Sequence, residues 1–255
     1  MGLRSRLRVL VCVLGLTTTT RTAHAVVPVT FGTSWDGPAY TLQKIVDGLY
    51  GAGTLNVTTD YIGAHAGDVD PWFWLGNQVS AYLIREVAGN RNRNVVGWYL
   101  ENGIKPVLHN DGVRDGVLFD GPASDGATAI FTFAVPTTRF GFYMNPNGAL
   151  GALNAPEPEL FFTNRLFNDR GPDGSGALHP PYDGDVQALV YDVSRFVGTN
   201  TWLVCFEDID SGPMPGPCCS TTDNDFNDFV FEVTAWGATP VQSVSFGAVK
   251  ARYRR

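Results

Sequence analysis

The chain has 255 residues, of which 44% are hydrophobic and 17% are charged, with a formal net charge of −7. This ordinary globular balance excludes wholesale disorder. A nucleic-acid partner is not predicted, because no segment before the last six residues supplies a basic face. A membrane span is not predicted either, because no run of about 18 apolar residues occurs. The 29 glycines and 16 prolines favour turn-rich β structure over a helical bundle.

Residues 1–25 have the three-part pattern of a secretory signal peptide. A basic start precedes the apolar run Val9–Leu16, and an A-x-A cleavage pattern ends at Ala25. The apolar run is too short for a membrane anchor. The sequence therefore predicts a secreted protein, extracellular or at the cell surface, that reaches the export machinery through this leader.

One helix is predicted soon after the leader, at Tyr40–Tyr50. Its apolar residues Leu42, Ile45, Val46 and Leu49 recur with the helical period and form a single apolar stripe. Such a stripe is typical of a helix that packs one face against the rest of a domain.

Beyond this helix, short apolar runs separated by Gly, Asn, Asp and Pro predict strands. The predicted strands are Val79–Val87, Val95–Leu100, Thr128–Val135, Arg139–Met144, Glu159–Thr163, Val186–Val193, Thr201–Glu207 and Asp228–Trp236. Phe229, Phe231 and Val233 would share one face, whereas Trp202–Phe206 is apolar on both faces. We therefore predict an all-β antiparallel β-sandwich of jelly-roll type with one short N-terminal helix, forming a single domain over residues 26–238.

The cysteines indicate a disulfide, given an oxidising compartment. Cys12 leaves with the leader, and Cys205 has Cys218 and Cys219 as candidate partners, between which the sequence does not decide. Closing a loop of about 14 residues would contribute roughly 3 kcal/mol in the chain-entropy model. The alternative, three unpaired cysteines, stays open.

Two acidic clusters lie on either side of this cysteine loop, at the ends of two apolar strands. The first runs from Glu207 to Asp210, and the second from Asp223 to Asp228. Neighbouring carboxylates repel and raise one another's pKa values, and a hard divalent cation would relieve this cost. Ca²⁺ takes six to eight oxygen ligands from Asp, Asn and main-chain carbonyls. The predicted calcium ligands are Glu207, Asp208, Asp210, Asp223, Asp225, Asn227 and Asp228.

Within the second cluster, Asp223, Asp225 and Asn227 alternate like the first three ligands of a D-x-D-x-N calcium loop. The match ends there, because Asp228 and Thr234 stand where a helix–loop–helix calcium site has Gly and Glu. We therefore expect the remaining ligands from the first cluster, with calcium clamping two strand ends in a structural role. The alternative is that these are solvated turn acids, since Asp and Asn favour turns.

The same residues carry a family resemblance. Val204–Asp208 followed by Asp223–Val230 resembles the F-E-D … D-x-D-[FY]-N-D signature of a bacterial secreted domain of unknown function, often found on proteins with a Pro-Glu-Pro C-terminal sorting tail. The resemblance extends over most of Phe31–Trp236. It implies an extracellular, calcium-dependent β-sandwich, and it offers no catalytic residues to transfer.

The chain departs from that family in two places. The gap Ser211–Thr222 is longer and contains two cysteines, and the apolar helix of the sorting tail is absent. Residues 239–255 instead form a linker and a basic tail. We interpret this tail as a short sorting or docking segment recognised by the export machinery; the alternative is a frayed terminus.

An enzyme is not predicted. His65, His109 and His179 lack the spacing of a zinc site, and no G-x-S-x-G motif occurs. A glycoside hydrolase needs two carboxylates in a cleft, for which Glu157 and Glu159 qualify only by residue type.

The leading prediction is a secreted, noncatalytic calcium-binding module with a structural, adhesive or surface-assembly role. Its partners would be cell-surface or matrix glycans or proteins. The first alternative is a calcium-dependent carbohydrate-binding module, in which Trp72, Trp74, Trp98 and Tyr99 present flat rings to sugars unless these rings fill the core. The second alternative is an extracellular glycoside hydrolase.

Overall fold

The computed structural model describes residue 29 and residues 31–65, 74–88, 91–135, 138–146, 148, 160–168, 186–208 and 223–236. The predicted leader and the basic tail lie outside these residues. Within the described part of the chain, no helix is long and apolar enough to cross a membrane.

The described chain forms ten strands and two short helices. In chain order these are α1 Leu42–Tyr50, β1 Trp74–Gly76, β2 Gln78–Glu86, β3 Val95–Leu100, β4 Asp115–Phe119, β5 Thr128–Thr132, β6 Thr138–Asn145, β7 Phe161–Phe162, β8 Ala188–Asp192, α2 Ser194–Val197, β9 Thr201–Phe206 and β10 Phe229–Trp236. A single 3₁₀ turn at Arg165–Phe167 follows β7.

The strands make two antiparallel sheets. The first has the order β1-β6-β3-β4, with β7 also paired to β6, and the second has the order β5-β2-β10-β9-β8. The predicted all-β antiparallel sandwich is confirmed. The N-terminal helix is also confirmed, and it begins at Leu42 because the Thr41 side chain caps it by accepting a hydrogen bond from the Lys44 main-chain N–H.

The main core lies between the two sheets and is built largely from aromatic rings. On β10 the side chains of Phe229, Phe231 and Val233 all point into it, as the alternation predicted. Trp74 on β1 and Trp202 on β9 meet edge to face across it, with ring centroids 6.3 Å apart. Each such ring contributes about 2–3 kcal/mol by leaving water, so the rings dominate the stability of the sandwich.

A second apolar cluster covers the outer face of the second sheet. Leu203 and Cys205 of β9 point outward into it, where they meet Leu42 and Val46 of α1. This layer explains why β9 is apolar on both faces: one face lines the core between the sheets, and the other lies under the helix.

The predicted strands need correction, and the strand expected at Thr128–Val135 ends at Thr132. The strand expected at Glu159–Thr163 is reduced to Phe161–Phe162, and two short strands, Trp74–Gly76 and Asp115–Phe119, were not predicted. Asp115–Phe119 escapes prediction because a buried aspartate begins it. Asp115 is only 1% exposed, and its carboxylate accepts main-chain N–H groups of the preceding loop, including that of His109 at 3.0 Å.

The predicted disulfide is not observed at Cys205. This residue is a free, fully buried cysteine, whose side chain points into the apolar cluster under α1. Burial there raises the pKa of its thiol well above the ordinary value. Cys218 and Cys219 lie outside the described residues. The failure has a physical cause, since Cys205 acts as a small apolar core residue.

The state of Cys205 can be tested with a reductant. We expect Cys205→Ala to lower the free energy of unfolding by roughly 1–2 kcal/mol, the cost of a small cavity. Dithiothreitol should leave the wild-type value unchanged, since no bond at Cys205 is available for reduction. Urea unfolding of both proteins with and without reductant measures this. If reductant lowered the free energy of unfolding of the wild type by roughly 3 kcal/mol and left that of Cys205→Ala unchanged, Cys205 would be part of a disulfide.

Candidate metal centre

The acidic residues predicted from the sequence gather at one end of the second sheet. β9 ends at Phe206 and β10 begins at Phe229, and these two residues are paired in the antiparallel register. The residues after β9 and before β10 therefore meet. The described members of the predicted site are all at most 8% exposed: Glu207, Asp208, Asp223, Asp225, Asn227 and Asp228. Asp210 lies outside the described residues.

Three aspartates converge at the surface of this end. Asp36, Asp223 and Asp225 each offer a carboxylate oxygen, and these oxygens all lie within 4.8 Å of one another. Asp36 is exposed, whereas Asp225 is buried. We call Asp36, Asp223, Asp225 and the adjoining Asn227 the outer site.

Asp36 reaches the outer site because the segment before α1, residues 31–40, packs against residues 223–228. We call residues 223–228 the acidic loop. The main-chain N–H of Trp35 donates to Asp223 Oδ2 at 2.7 Å, across 188 positions of sequence. The N–H of Gly32 donates to the carbonyl oxygen of Asn224 at 3.1 Å. A Cβ atom on Gly32 would lie 1.8 Å from the main-chain oxygen of Asp223, so only glycine allows this approach.

Two residues of the acidic loop have an unusual backbone conformation, which contacts with neighbouring residues stabilise. Asn224 and Phe226 have φ values of 48° and 56°, in the left-handed region that costs a non-glycine residue roughly 1–2 kcal/mol. The Phe226 ring is fully buried in the cluster under α1, and its N–H donates to Glu207 Oε2 at 3.1 Å. These contacts stabilise a conformation in which the alternate residues Asp223 and Asp225 approach Asp36.

Asn227 supplies a further oxygen to this region. Its side-chain nitrogen donates to the Tyr40 carbonyl oxygen at 2.8 Å and to Asp225 Oδ2 at 2.5 Å. Its amide oxygen Oδ1 is buried and has no hydrogen-bond partner among the described residues. A buried acceptor without a partner costs about 1–3 kcal/mol, and a cation would satisfy it.

The charges of the outer site repel one another strongly. Two carboxylate charges about 4.8 Å apart cost about 3 kcal/mol at an effective dielectric constant of 20, more than one ordinary hydrogen bond contributes. Burial, and then repulsion by Asp223 and Asp36, raises the pKa of Asp225 to about 6, although hydrogen bonds from Ser34 and Asn227 oppose the shift. The pKa of Asp36 is also raised, by partial burial and then by Asp223 and Asp208.

The remaining predicted residues form a second group deeper in the fold. The main-chain N–H of Asp208 donates to Asp228 Oδ2 at 2.7 Å. Burial raises the pKa of Asp228 well above its ordinary value, and repulsion by Glu207 and Asp208 adds to the shift. The two groups are neighbours, since Asp208 also acts on the pKa of Asp36.

The sequence predicted most of these residues but not their division into two groups. It also missed Asp36, which has no acidic neighbour in the sequence and stands in an ordinary S-W-D-G-P turn. Nothing in the local pattern could have identified it. The only signal is the docking of residues 31–40 on the acidic loop, which is a tertiary contact.

Comparison with known proteins gives one family match. Residues 135–235 match the model of a domain of unknown function, DUF4114. The match covers less than half of the chain and includes β6 to β9 and most of β10, with all the acidic residues that the sequence analysis selected. It supports a domain family of unknown function, whereas the association with a sorting tail stays a prediction. No curated protein and no solved structure matches the chain.

The outer site predicts a pH dependence of stability in the presence of a chelator. The pKa of Asp225 rises from 3.8 to about 6 on folding, so the folded state binds the extra proton. The Asp225 carboxyl group therefore contributes fully to the free energy of unfolding below about pH 4. Its contribution is lost as the pH rises through about 6. We expect Asp225→Asn to flatten this decline, measured as the free energy of unfolding in urea between about pH 4 and 7.

Asp192→Asn is the matched control, because Asp192 is exposed and lies at the opposite end of the paired strands β8 and β9. This variant should keep the wild-type slope. Identical slopes for Asp225→Asn and wild type would show that Asp225 does not titrate as the site geometry requires.

Proposed function

We propose that this protein is a secreted, noncatalytic calcium-binding β-sandwich module whose outer site holds Ca²⁺ in a structural role. One observation carries the proposal: three aspartates from two distant segments bring their oxygens within 4.8 Å of one another. The buried amide oxygen of Asn227, which has no partner in the described part of the chain, adds a fourth oxygen ligand beside them.

Calcium fits this donor set better than the other common metals. The ligating groups are carboxylate and amide oxygens, which suit hard cations, whereas zinc sites use mainly thiolate and imidazole. Mg²⁺ demands near-ideal octahedral geometry, and a partly open site tolerates the larger and more flexible shell of Ca²⁺ more readily. Water and main-chain oxygens would complete the six to eight ligands.

The cation would join the segment before α1 to the start of β10. Asp36 belongs to that segment and Asp223 to the acidic loop, so neutralising their charges would convert repulsion into a cross-link. The predicted signal peptide is consistent with this role, because extracellular calcium-binding modules function with dissociation constants of about 10⁻⁴–10⁻³ M. The role is therefore a calcium-dependent fold for use outside the cell, in adhesion or surface assembly.

Thermal unfolding tests the calcium site. At 100 times its dissociation constant, Ca²⁺ should stabilise the wild type by about 2.7 kcal/mol, which raises the melting temperature by roughly 5–10 °C. Asp225→Asn should abolish this gain and leave the melting temperature in chelator unchanged or slightly higher. Asp192→Asn should respond as the wild type does.

The same experiment shows how the proposal would fail. Equal destabilisation of Asp225→Asn in calcium and in chelator would assign Asp225 to folding rather than ligation. A wild-type protein that gains nothing in calcium would exclude the site altogether. An equal gain in Mg²⁺ would replace calcium specificity with a general divalent site.

One exposed aromatic residue beside Asp36 favours calcium-dependent carbohydrate binding as a second candidate function. Trp74, Trp98 and Tyr99, which the sequence analysis considered as sugar platforms, are fully buried in the core, and Trp72 lies outside the described residues. Trp35, in contrast, is 63% exposed, and it adjoins Asp36. Flat rings bind sugar faces, and an exposed calcium ion can coordinate sugar hydroxyls. The hydrolase alternative gains no such support, since Glu157 and Glu159 lie outside the described residues.

Trp35→Ala tests this second candidate without disturbing the metal. Trp35 donates to Asp223 through its main-chain N–H, which alanine keeps, so the variant should keep the calcium-dependent rise in melting temperature. On a glycan array in buffered Ca²⁺, we expect wild-type binding that chelator removes and that Trp35→Ala weakens at least tenfold. Tyr82→Ala, at an exposed aromatic residue on β2, is the control. If the wild type showed no calcium-dependent glycan binding, the carbohydrate-binding candidate would be excluded and only the structural role would remain.

A further inference from the structure

The second sheet has two edge strands, β5 and β8, and the described chain covers only one of them. At β8, the N–H of Ile62 donates to the carbonyl oxygen of Val190 at 2.8 Å, so a neighbouring segment protects that edge. β5 is paired with β2 on one side, and its other side forms no hydrogen bond with the described part of the chain. β5 is therefore an exposed sheet edge, which is a template for pairing with another strand.

The pairing of β5 with β2 fixes which main-chain groups of β5 face outward. In this antiparallel ladder, the N–H of Phe133 donates to the carbonyl oxygen of Asn77 at 2.7 Å, and the N–H of Leu83 donates to that of Ala127 at 2.9 Å. Hydrogen-bonded and non-hydrogen-bonded pairs alternate along such a ladder, so the odd-numbered residues of β5 bond to β2 and the even-numbered ones do not. The N–H and C=O groups of three residues therefore point away from the sheet: Thr128, Ile130 and Thr132.

The same three residues expose their side chains, and the residues between them anchor the strand. Ile130 is 70% exposed. On the opposite face, the ring of Phe131 packs on Trp98 in the core between the sheets, with ring centroids 4.0 Å apart. β5 thus presents a firmly held row of main-chain groups beside an exposed apolar side chain.

β5 lacks the features that normally prevent an exposed edge from pairing. Natural sheet edges carry charged side chains, proline or a β-bulge. Residues 126–135 contain no charged residue and no proline. The register between β2 and β5 also runs without a shift, so no bulge turns the edge away. Uncharged strands without proline pair readily with other strands, so this edge is suited to a partner strand.

The order of residues in β5 favours a second copy of this chain as that partner. In an antiparallel pair with a two-fold axis at Ile130, the Ile130 residues of the two copies lie opposite each other. Thr128 of one copy then lies opposite Thr132 of the other. On the inner face, Ala129 lies opposite Phe131, a small side chain against a large one. Pairs of threonines and of apolar residues stabilise antiparallel sheets, so the strand is complementary to itself.

We propose that this protein forms a two-fold dimer in which the β5 strands of two chains pair antiparallel about Ile130. In this register, the three outward-facing residues of each copy exchange main-chain hydrogen bonds with those of the other copy. The pairing joins the second sheets of the two chains into one continuous sheet and covers both Ile130 side chains. Because it occupies both β5 edges, the assembly stops at two chains. The dimer goes beyond the proposed calcium role and uses no ligand of the outer site.

Sedimentation velocity of the purified full chain tests the dimer. Between about 1 and 300 μM, the range of weak specific interfaces, we expect the wild-type mass to rise from one chain to two. Ile130→Lys places like charges opposite each other, and Ile130→Pro removes an N–H that forms no bond within the described chain. Both variants should raise the dissociation constant of the dimer at least tenfold. Ile104→Lys is the matched control and should dimerise as the wild type does, because Ile104 is also 70% exposed and lies between β3 and β4.

A charge exchange at Ile130 tests the two-fold register. Ile130→Lys and Ile130→Glu should each be monomeric alone, whereas an equimolar mixture should form a dimer with one chain of each, because residue 130 of one copy faces residue 130 of the other. The variants should melt close to the temperature of a monomeric wild-type sample, since the Ile130 side chain is exposed. The wild-type dimer should persist in chelator, so its failure and the failure of the calcium site are distinguishable.

Several results would overturn the proposal. A wild type that stays a single chain at every concentration would exclude the dimer. Wild-type affinity in both Ile130→Lys and Ile130→Pro would place the interface elsewhere. A mixture of Ile130→Lys and Ile130→Glu that stays monomeric would exclude the pairing of the two strands about Ile130. Growth of the wild type beyond two chains would exclude a closed pair.

Discussion

Electrostatic repulsion among buried carboxylates is the constraint on which this end of the molecule depends. The paired strands β9 and β10 must lie side by side because their apolar side chains fill the cores on both faces of the sheet. That pairing forces the acids that follow β9 against those that precede β10. Hydrophobic burial thus gathers negative charge at this end of the molecule, largely out of water, and a cation or protons would relieve the mutual repulsion.

The surrounding structure holds these charges in place. Phe226 adopts a left-handed backbone that is costly for a bulky residue, and burial of its ring against Phe31 and the cluster under α1 offsets the cost. Gly32 permits the closest approach of the first segment, where any side chain would collide with Asp223. Carboxylates fixed in this way are preorganised, so a binding cation would find the ligands already positioned.

The outer site divides the chain in an informative way. The family match covers Glu207 and the whole acidic loop, but it does not include Asp36 of the outer site. The matched segment therefore supplies most of the charge, and the N-terminal part of the chain supplies the aspartate that completes the site. Metal binding proposed at the outer site would join the two parts, which is consistent with a module whose stability depends on its ionic surroundings.

The sequence by itself determined the class of the fold, the α1 helix, most strands and the acidic residues, because periodicity and residue type are local properties. It could not determine that Cys205 lies in a core or that Asp36 meets Asp223. Each of these depends on which surfaces face each other after the sheets and α1 pack together. Ligands that converge from distant segments leave no spacing in the sequence, since only tertiary contacts between docked segments set the distances between them.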